Sequence, residues 1–173
     1  MDRTSYTPEP GEKATQVMVG TSDLLIWGDL VTKEQIRVSG YLNILAEDFV
    51  PLHDAKALFL APTHQVAPVD KAIIYVKLEE ILFFYAMADQ EPLPEESDVR
   101  RYEPVEVFIG SYRIEGSILK SPIATLLNLL LVTKDAYMPV YQAKISHVAK
   151  PWLGIFSASM LQLRRDRLLV VES

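Results

Sequence analysis

The chain of 173 residues contains no cysteine, and this absence removes several kinds of site. Disulfides and thiolate-bound metals need cysteine, so neither is expected. A cysteine nucleophile is excluded too, and the histidines are His53, His64 and His147. None of these has the spacing of a metal site or of a base beside a serine nucleophile. We therefore predict no metal, no cofactor and no enzymatic activity.

Long apolar runs are also missing from the sequence. The longest, 81–88 and 126–132, fall well below the roughly 18 residues that a membrane-spanning helix needs. The first fifteen residues lack the apolar segment of a secretory signal. The sequence therefore predicts a cytoplasmic protein that does not bind membranes.

Positive charge is scarce, and the formal net charge is −6. Binding to a phosphate backbone uses clustered lysine and arginine, and residues 164–167 (RRDR) form the one such cluster in the sequence. Asp166 interrupts it, and a short basic run of this kind is more typical of a solvated surface. The composition thus argues against nucleic acid as a partner.

Two stretches, 17–28 and 105–116, carry nearly the same spacing of valine, isoleucine and glycine. Later positions agree in the same order after short gaps. The matched pairs are Gly28 with Gly116, Asn43 with Asn128, Pro51 with Pro139 and, beyond an extra loop in the first copy, Val76 with Ile155. Apolar matches arise easily by chance, whereas shared glycine, asparagine and proline in a fixed order do not. The sequence therefore predicts a tandem duplication.

The repeat sets the expected domain organisation. We predict an N-terminal tail at 1–14, a first repeat at 15–88, an acidic and proline-containing linker at 89–102, and a second repeat at 103–173. The linker has almost no large apolar side chain, which is typical of an exposed connection. Copies of this size are marginal alone, so one shared core and two separate cores both remain open.

Each copy begins with alternating apolar and polar residues, which predicts two strands. Gly28 and Gly116 lie within the second strand, where glycine is typical of a bulge or bend. In the second copy, Ser121 and Pro122 then resemble a helix start, and Ile123, Leu126, Leu127 and Leu130 follow at helical spacing. Three further strands complete the unit, at about 49–60, 72–78 and 80–86 in the first copy. The predicted fold is mainly β (α+β): a β-β-α-β-β-β unit used twice, each copy a small barrel or curled sheet.

We predict structural roles for two further pairs of repeat positions. Asn43 and Asn128 lie at the border of the apolar helix face, and we expect each side-chain amide to bond a neighbouring loop. Pro51 and Pro139 are expected at a strand start or edge, where a missing N–H is tolerated.

The stretch "VEVFIGSYRIEGSILKSPIATLLNLLLVTKDA" (105–136) resembles the first signature of Sm-like RNA-binding proteins. Gly110, Gly116, Leu127 and Asn128 occupy the matching positions. The acidic residue that usually precedes the apolar–Asn pair is absent, as is a second signature with its basic–Gly step. The resemblance implies a nucleic-acid-binding module as an alternative, without assigning an RNA-contacting residue.

A second likeness is to small uncharacterised bacterial β-rich domains. The segments "VSGYLN" (38–43) and "FVPLHDA" (49–55) are similar to their shared pattern. This likeness implies a domain type, present here as two tandem copies, and no activity.

The aromatic residues Phe83, Phe84 and Tyr85 are the candidate interaction patch. If the sheet is covered on one face only, the patch is exposed and available to a partner. The alternative is that both faces are buried. We predict a non-enzymatic protein-interaction or assembly module that binds a protein partner or self-associates. A small-ligand-binding β-domain is the further alternative.

Overall fold

The computed structural model describes residues 6–61, 67–87 and 92–171, and it is mainly β. The predicted fold class is confirmed at this level. The chain divides into two compact units, Met1–Gln90 and Glu91–Ser173. The division falls within the predicted linker 89–102.

The first unit is an antiparallel sheet of five strands. They are β1 (Glu12–Gly20), β2 (Leu24–Lys33), β3 (Phe49–Phe59), β4 (Val69–Lys77) and β5 (Phe83–Ala86). Their order across the sheet is β5-β1-β2-β3-β4. Between β2 and β3, the short helix α1 (Val38–Gly40) continues into a π-helical turn, Tyr41–Leu45. A 3-10 turn, Leu78–Glu80, precedes β5.

The second unit is also an antiparallel sheet of five strands. They are β6 (Arg101–Ile109), β7 (Tyr112–Lys120), β8 (Tyr137–His147), β9 (Phe156–Arg164) and β10 (Leu168–Val171). Their order is β10-β6-β7-β8-β9. Helix α2 (Leu126–Val132) follows β7, and 3-10 turns occupy Pro151–Leu153 and Arg165–Arg167.

The two units have the same order of strands and α-helices along the chain and the same strand order across the sheet. Their registers also correspond: Val17 pairs with Gly28 in the first unit, as Val105 pairs with Gly116 in the second. Within the described residues, neither set of five strands closes on itself. The small-barrel alternative is therefore wrong, and each unit is an open sheet.

Alternation of side chains along the strands builds the core. In β7, Tyr112 and Ile114 are buried, whereas Arg113 and Glu115 point to solvent and form an ion pair at 2.8 Å. Successive residues of a strand face opposite sides of the sheet, so this part of β7 buries one face. In β1 the consecutive residues Val17, Met18 and Val19 are all buried, so both faces are covered there.

Two predicted boundaries require correction. Strand β1 begins at Glu12, so the tail is shorter than 1–14, and β6 begins at Arg101, inside the predicted linker 89–102. In both cases the strand extends beyond the apolar alternation, because hydrogen bonds to the neighbouring strand continue through polar residues. Residues 88–91 of the linker region lie outside the described part of the chain.

The predicted start of α2 is wrong. Ser121 does not cap the helix; instead its carbonyl accepts a hydrogen bond from the Ala124 N–H at 3.0 Å, which closes a turn. The helix begins after Thr125, whose Oγ1 accepts from the Asn128 N–H at 3.1 Å. Ile123 therefore precedes the helix and is 94% exposed.

Candidate interaction surface

The repeat glycines lie where the second strand of each unit meets a β-bulge. The strand register shifts at Gly28 in the first unit and at Gly116 in the second. A Cβ on Gly28 would lie 3.0 Å from the His53 carbonyl oxygen, and one on Gly116 would lie 2.8 Å from that of Tyr141. Glycine thus permits close approach of two backbones, which is a structural role.

The facing strand of each bulge holds a residue in a left-handed backbone conformation. Asp54 has φ 47° and Gln142 has φ 50°, and these are the two non-glycine residues with positive φ in the described chain. The Asp54 Oδ2 accepts a hydrogen bond from the Tyr6 N–H at 3.1 Å. Such a conformation is costly for a residue with a Cβ, so the bulge imposes it.

A cleft of about 430 Å³ adjoins the first bulge. It is lined by Gln16, Trp27, Gly28, Asp29, Asp54, Lys56 and Asp70. Burial raises the pKa of Asp29, and the nearby Asp54 raises it further, while Lys56 lies 4.0 Å from Asp70. Among the described residues, no group of three or more histidine or acidic side chains is placed to hold a metal ion. We therefore assign no metal to this cleft.

The aromatic residues 83–85 do not form an exposed patch. Phe83 and Phe84 are buried, and Tyr85 is half-buried. The Phe83 ring packs against the backbone of Gly20 on β1, where a Cβ would lie 2.2 Å from ring atoms. The interpretation of these residues as an interaction surface is therefore wrong for the two phenylalanines, because β5 is packed into the sheet.

The asparagine pair has different surroundings in the two units. Asn43 is half-buried within the π-helical turn, whereas Asn128 is exposed on α2. The backbone N–H of Asn128 donates a hydrogen bond to Thr125 Oγ1, and this bond stabilises the first turn of the helix.

The proline pair lies close to the start of a strand, as predicted. Pro51 pairs with Tyr75 of β4, and Pro139 pairs with Gln162 of β9. On the opposite side, pairing of β3 with β2 extends only as far as His53, so a missing N–H at Pro51 interrupts no ladder there.

Strands β4 and β10 are end strands of their sheets: among the described residues of each unit, β4 pairs with β3 alone and β10 pairs with β6 alone. Both expose a large apolar side chain, Tyr75 at 64% and Leu169 at 62%. An edge strand presents backbone N–H and C=O groups that can pair with another chain. The apolar segments "AIIYV" (72–76) and "LLVV" (168–171) have the composition of strands, but which strands lie at an edge depends on topology.

A groove of about 880 Å³ lies beside β4. It is lined by Tyr41, Glu47, Asp48, Phe49, Pro51 and Tyr75. Phe49 is 53% exposed, so two aromatic rings are largely open to solvent here. Burial raises the pKa of Tyr41, and the charge of Glu47 raises it further. No sequence pattern indicates this groove, because the residues that line it are scattered over 35 positions, from 41 to 75.

Helix α2 is more exposed than its predicted amphipathic pattern implies. Leu126 is buried, whereas Leu127, Leu131 and Val132 are exposed. The helix is short, and with Thr125 as its cap only one turn of apolar residues reaches the core.

The arginines of the 164–167 cluster are largely engaged within the second unit. Arg164 donates to the Tyr137 hydroxyl at 3.0 Å, and its guanidinium lies 5.1 Å from the centre of that ring. Arg165 donates to the carbonyl oxygens of Leu130 and Asp135, at 3.0 and 3.2 Å. These contacts give two of the arginines a structural role.

The three histidines have separate surroundings. His53 stacks with Tyr6, their ring centres 4.1 Å apart, and His64 lies outside the described residues. His147 is buried, and its ring lies edge-on to Tyr112 at 5.0 Å. Its Nδ1 is the buried side-chain atom that lacks a hydrogen-bond partner in the described chain.

Comparison of the chain with protein-family models, with curated proteins and with solved structures finds no match. In the described residues, no helix is long and apolar enough to cross a membrane.

Proposed function

We propose that the chain is a non-enzymatic assembly module whose copies associate edge to edge, β4 of one copy with β10 of the next. The observation that carries this proposal is that both strands have a partner on one side only and expose a large apolar residue. Pairing would satisfy the outward backbone groups of both edges and remove Tyr75 and Leu169 from water.

The alternation of the two strands supports one antiparallel register. Ile74 and Val76 of β4 pair with buried Leu52 and Val50, so they share the inner face of their sheet. Leu168 and Val170 of β10 likewise pair with buried Ile109 and Val107.

In this register Leu168 lies opposite Val76, and Val170 lies opposite Ile74, which continues the apolar inner face. Leu169 then lies opposite Tyr75 on the outer face. A shift by one residue would place apolar and solvent-facing side chains on the wrong sides, so the register is specific.

Charges on β4 limit the length of the segment that can pair. Lys71 and Lys77 are exposed on either side of the apolar residues 73–76. Edge lysines discourage extended pairing. A four-residue strand matches the apolar stretch between them, and β10 has four residues.

We also propose that the two units arose by duplication of one β-β-α-β-β-β unit. Support comes from the shared strand order, from the bulges at Gly28 and Gly116, and from the positive φ of Asp54 and Gln142. If the two units are duplicates, each sheet has the same two different end strands. Two different edges that fit one another favour head-to-tail association of copies.

The test is the molar mass in solution, measured by light scattering over a concentration series. We expect Leu169→Asp to raise the dissociation constant at least about tenfold, since burial of a leucine contributes about 1.5–3 kcal/mol. Leu127→Asp is the matched control, because Leu127 is 63% exposed but lies on α2. A wild-type chain that stays monomeric at every concentration, or equal effects of the two variants, would overturn the proposal.

A further inference from the structure

The groove beside β4 combines aromatic walls with an acidic rim. Phe49 and Pro51 lie on β3, and Tyr75 lies directly across from Pro51 on β4. Tyr41 adds a third ring from the π-helical turn. These side chains form an apolar surface on the outer face of the ladder, with Glu47 and Asp48 at the end where β3 begins.

We propose that this groove binds an extended, arginine-containing peptide segment of a partner protein. The proposal goes beyond edge-to-edge association, because it assigns a different occupant to the outer face beside the edge; Tyr75 belongs to both surfaces. Three features of the groove favour this occupant: its charge, its aromatic walls and its open surface.

The charge of the groove selects a cation. Glu47 and Asp48 are exposed carboxylates, and the residues that line the groove include no lysine, arginine or histidine. The neighbouring Lys77, the cross-strand partner of Phe49, donates to the carboxylate of Glu79. The first unit, 1–90, has 7 basic and 13 acidic residues, a net charge of −6, so phosphate backbones and anionic lipids are repelled.

The walls favour a guanidinium over an ammonium group. Arginine is planar, stacks on aromatic faces and can bond a carboxylate with two N–H groups at once. A cation over the ring of Phe49 or Tyr75 gains a further attraction from the π-electrons. A side chain lying between these rings can reach the carboxylates at the rim.

The form of the occupant follows from the open, shallow surface. Aromatic-lined grooves accept extended segments, and proline keeps such a segment extended before it binds. A segment that is already extended loses less conformational entropy on binding. A capped peptide of alternating arginine and proline is therefore the appropriate probe.

The experiment is a titration of the full chain with this peptide at low ionic strength, followed by the amide NMR signals of Phe49 and Tyr75. We expect saturable shifts, and no binding by the matched glutamate–proline peptide. Glu47→Gln and Asp48→Asn should each weaken binding about threefold, as expected for exposed ion pairs. Phe49→Ala should weaken it about fivefold, through loss of the cation–ring contact.

Glu34→Gln is the control, because Glu34 is an exposed carboxylate of the same unit that does not line the groove. It should leave the affinity unchanged. Unchanged amide signals elsewhere in the sheet establish that each variant is folded. Equal binding of the arginine and glutamate peptides, or equal loss in Glu34→Gln and Glu47→Gln, would overturn the proposal.

A second copy of the chain is the competing occupant. The titration is therefore repeated with Leu169→Asp, the variant designed to disrupt edge association. Equal affinity in the wild type and in this variant supports a separate peptide partner. Edge association itself places Leu169 beside Tyr75, so both titrations are run at a protein concentration at which light scattering shows a monomer. Failure of the wild type to bind the peptide under these conditions would overturn the peptide assignment without affecting the edge proposal.

Discussion

At the scale of single residues, the glycines within the second strand of each unit are the most informative positions. A Cβ on Gly116 would meet Val140 Cγ1 at 2.6 Å, whereas the closest atom to a Cβ on Gly28 is at 3.0 Å. Their position within an alternating strand predicts a bend. The structure shows why glycine is needed there: the backbone of the neighbouring strand comes too close for a side chain. How much stability each glycine-to-alanine substitution costs depends on these distances, which cannot be read from the sequence.

We expect Gly116→Ala to reduce the free energy of unfolding by about 1–3 kcal/mol, as overpacking in a close-packed region does. Gly28→Ala should cost less, because its contacts are longer. Gly40→Ala is the control: nothing lies within 4 Å of its Cβ, and its φ of −65° is helical. Urea denaturation checks this order, and a Gly40 variant as unstable as Gly116→Ala would contradict it.

The buried His147 predicts a dependence of stability on pH. Burial, and secondarily the charge of Lys150, lower the pKa of His147 in the folded chain. Tyr112 on β7 and Lys150 after β8 are the titratable groups identified beside the ring. The unfolded chain binds the proton near the ordinary pKa of about 6.5, before the folded chain does. Stability is therefore fully present above that pH and falls as the pH drops through it.

Replacement by phenylalanine tests this account. His147→Phe keeps an aromatic ring against Tyr112 and removes the titrating nitrogen atoms, so the decrease in stability below about pH 6.5 should become smaller. Urea denaturation at several pH values gives the comparison, and an identical decrease in His147→Phe would show that other groups cause it.

At the scale of elements, strands were easier to predict from sequence than helix ends. The predicted strands at 49–60 and 72–78 agree with β3 and β4 to within three residues. The repeat alignment nevertheless matched Val76 with Ile155, which is wrong. Val76 pairs with Val50, and the corresponding pair in the second unit is Leu163 with Met138. Apolar residues can be aligned with one another at many offsets. The pairing of neighbouring strands in the structure shows which positions correspond.

The start of α2 gives a prediction at this scale. Thr125→Ala removes the oxygen that accepts the Asn128 N–H, so we expect the helix to lose about 1 kcal/mol. Thr125→Ser retains the acceptor and should behave like the wild type. Amide hydrogen exchange across 126–132 measures the effect. Equal exchange in the alanine and serine variants would mean that the cap does not stabilise this helix.

At the scale of the whole molecule, the mainly β class predicted from the sequence is confirmed. The chain divides into compact units between residues 90 and 91, a position inside the predicted linker 89–102. The interaction surface could not be predicted in the same way. Phe83 and Phe84 are conspicuous in the sequence but buried, whereas Tyr75 and Leu169 are ordinary strand residues that become exposed because β4 and β10 lie at sheet edges. Whether a strand residue is exposed depends on the order of the strands in the sheet. The alternation of apolar and polar residues in the sequence does not give that order.

Hydrogen exchange of the edge amides as a function of protein concentration tests edge-to-edge association most directly. Alternate N–H groups of an antiparallel edge strand point away from their one partner and exchange rapidly unless another strand bonds them. We predict that protection of β4 and β10 rises with concentration, while α2 stays unchanged. Exchange at both edges that is independent of concentration, across the range where mass is measured, would contradict the account.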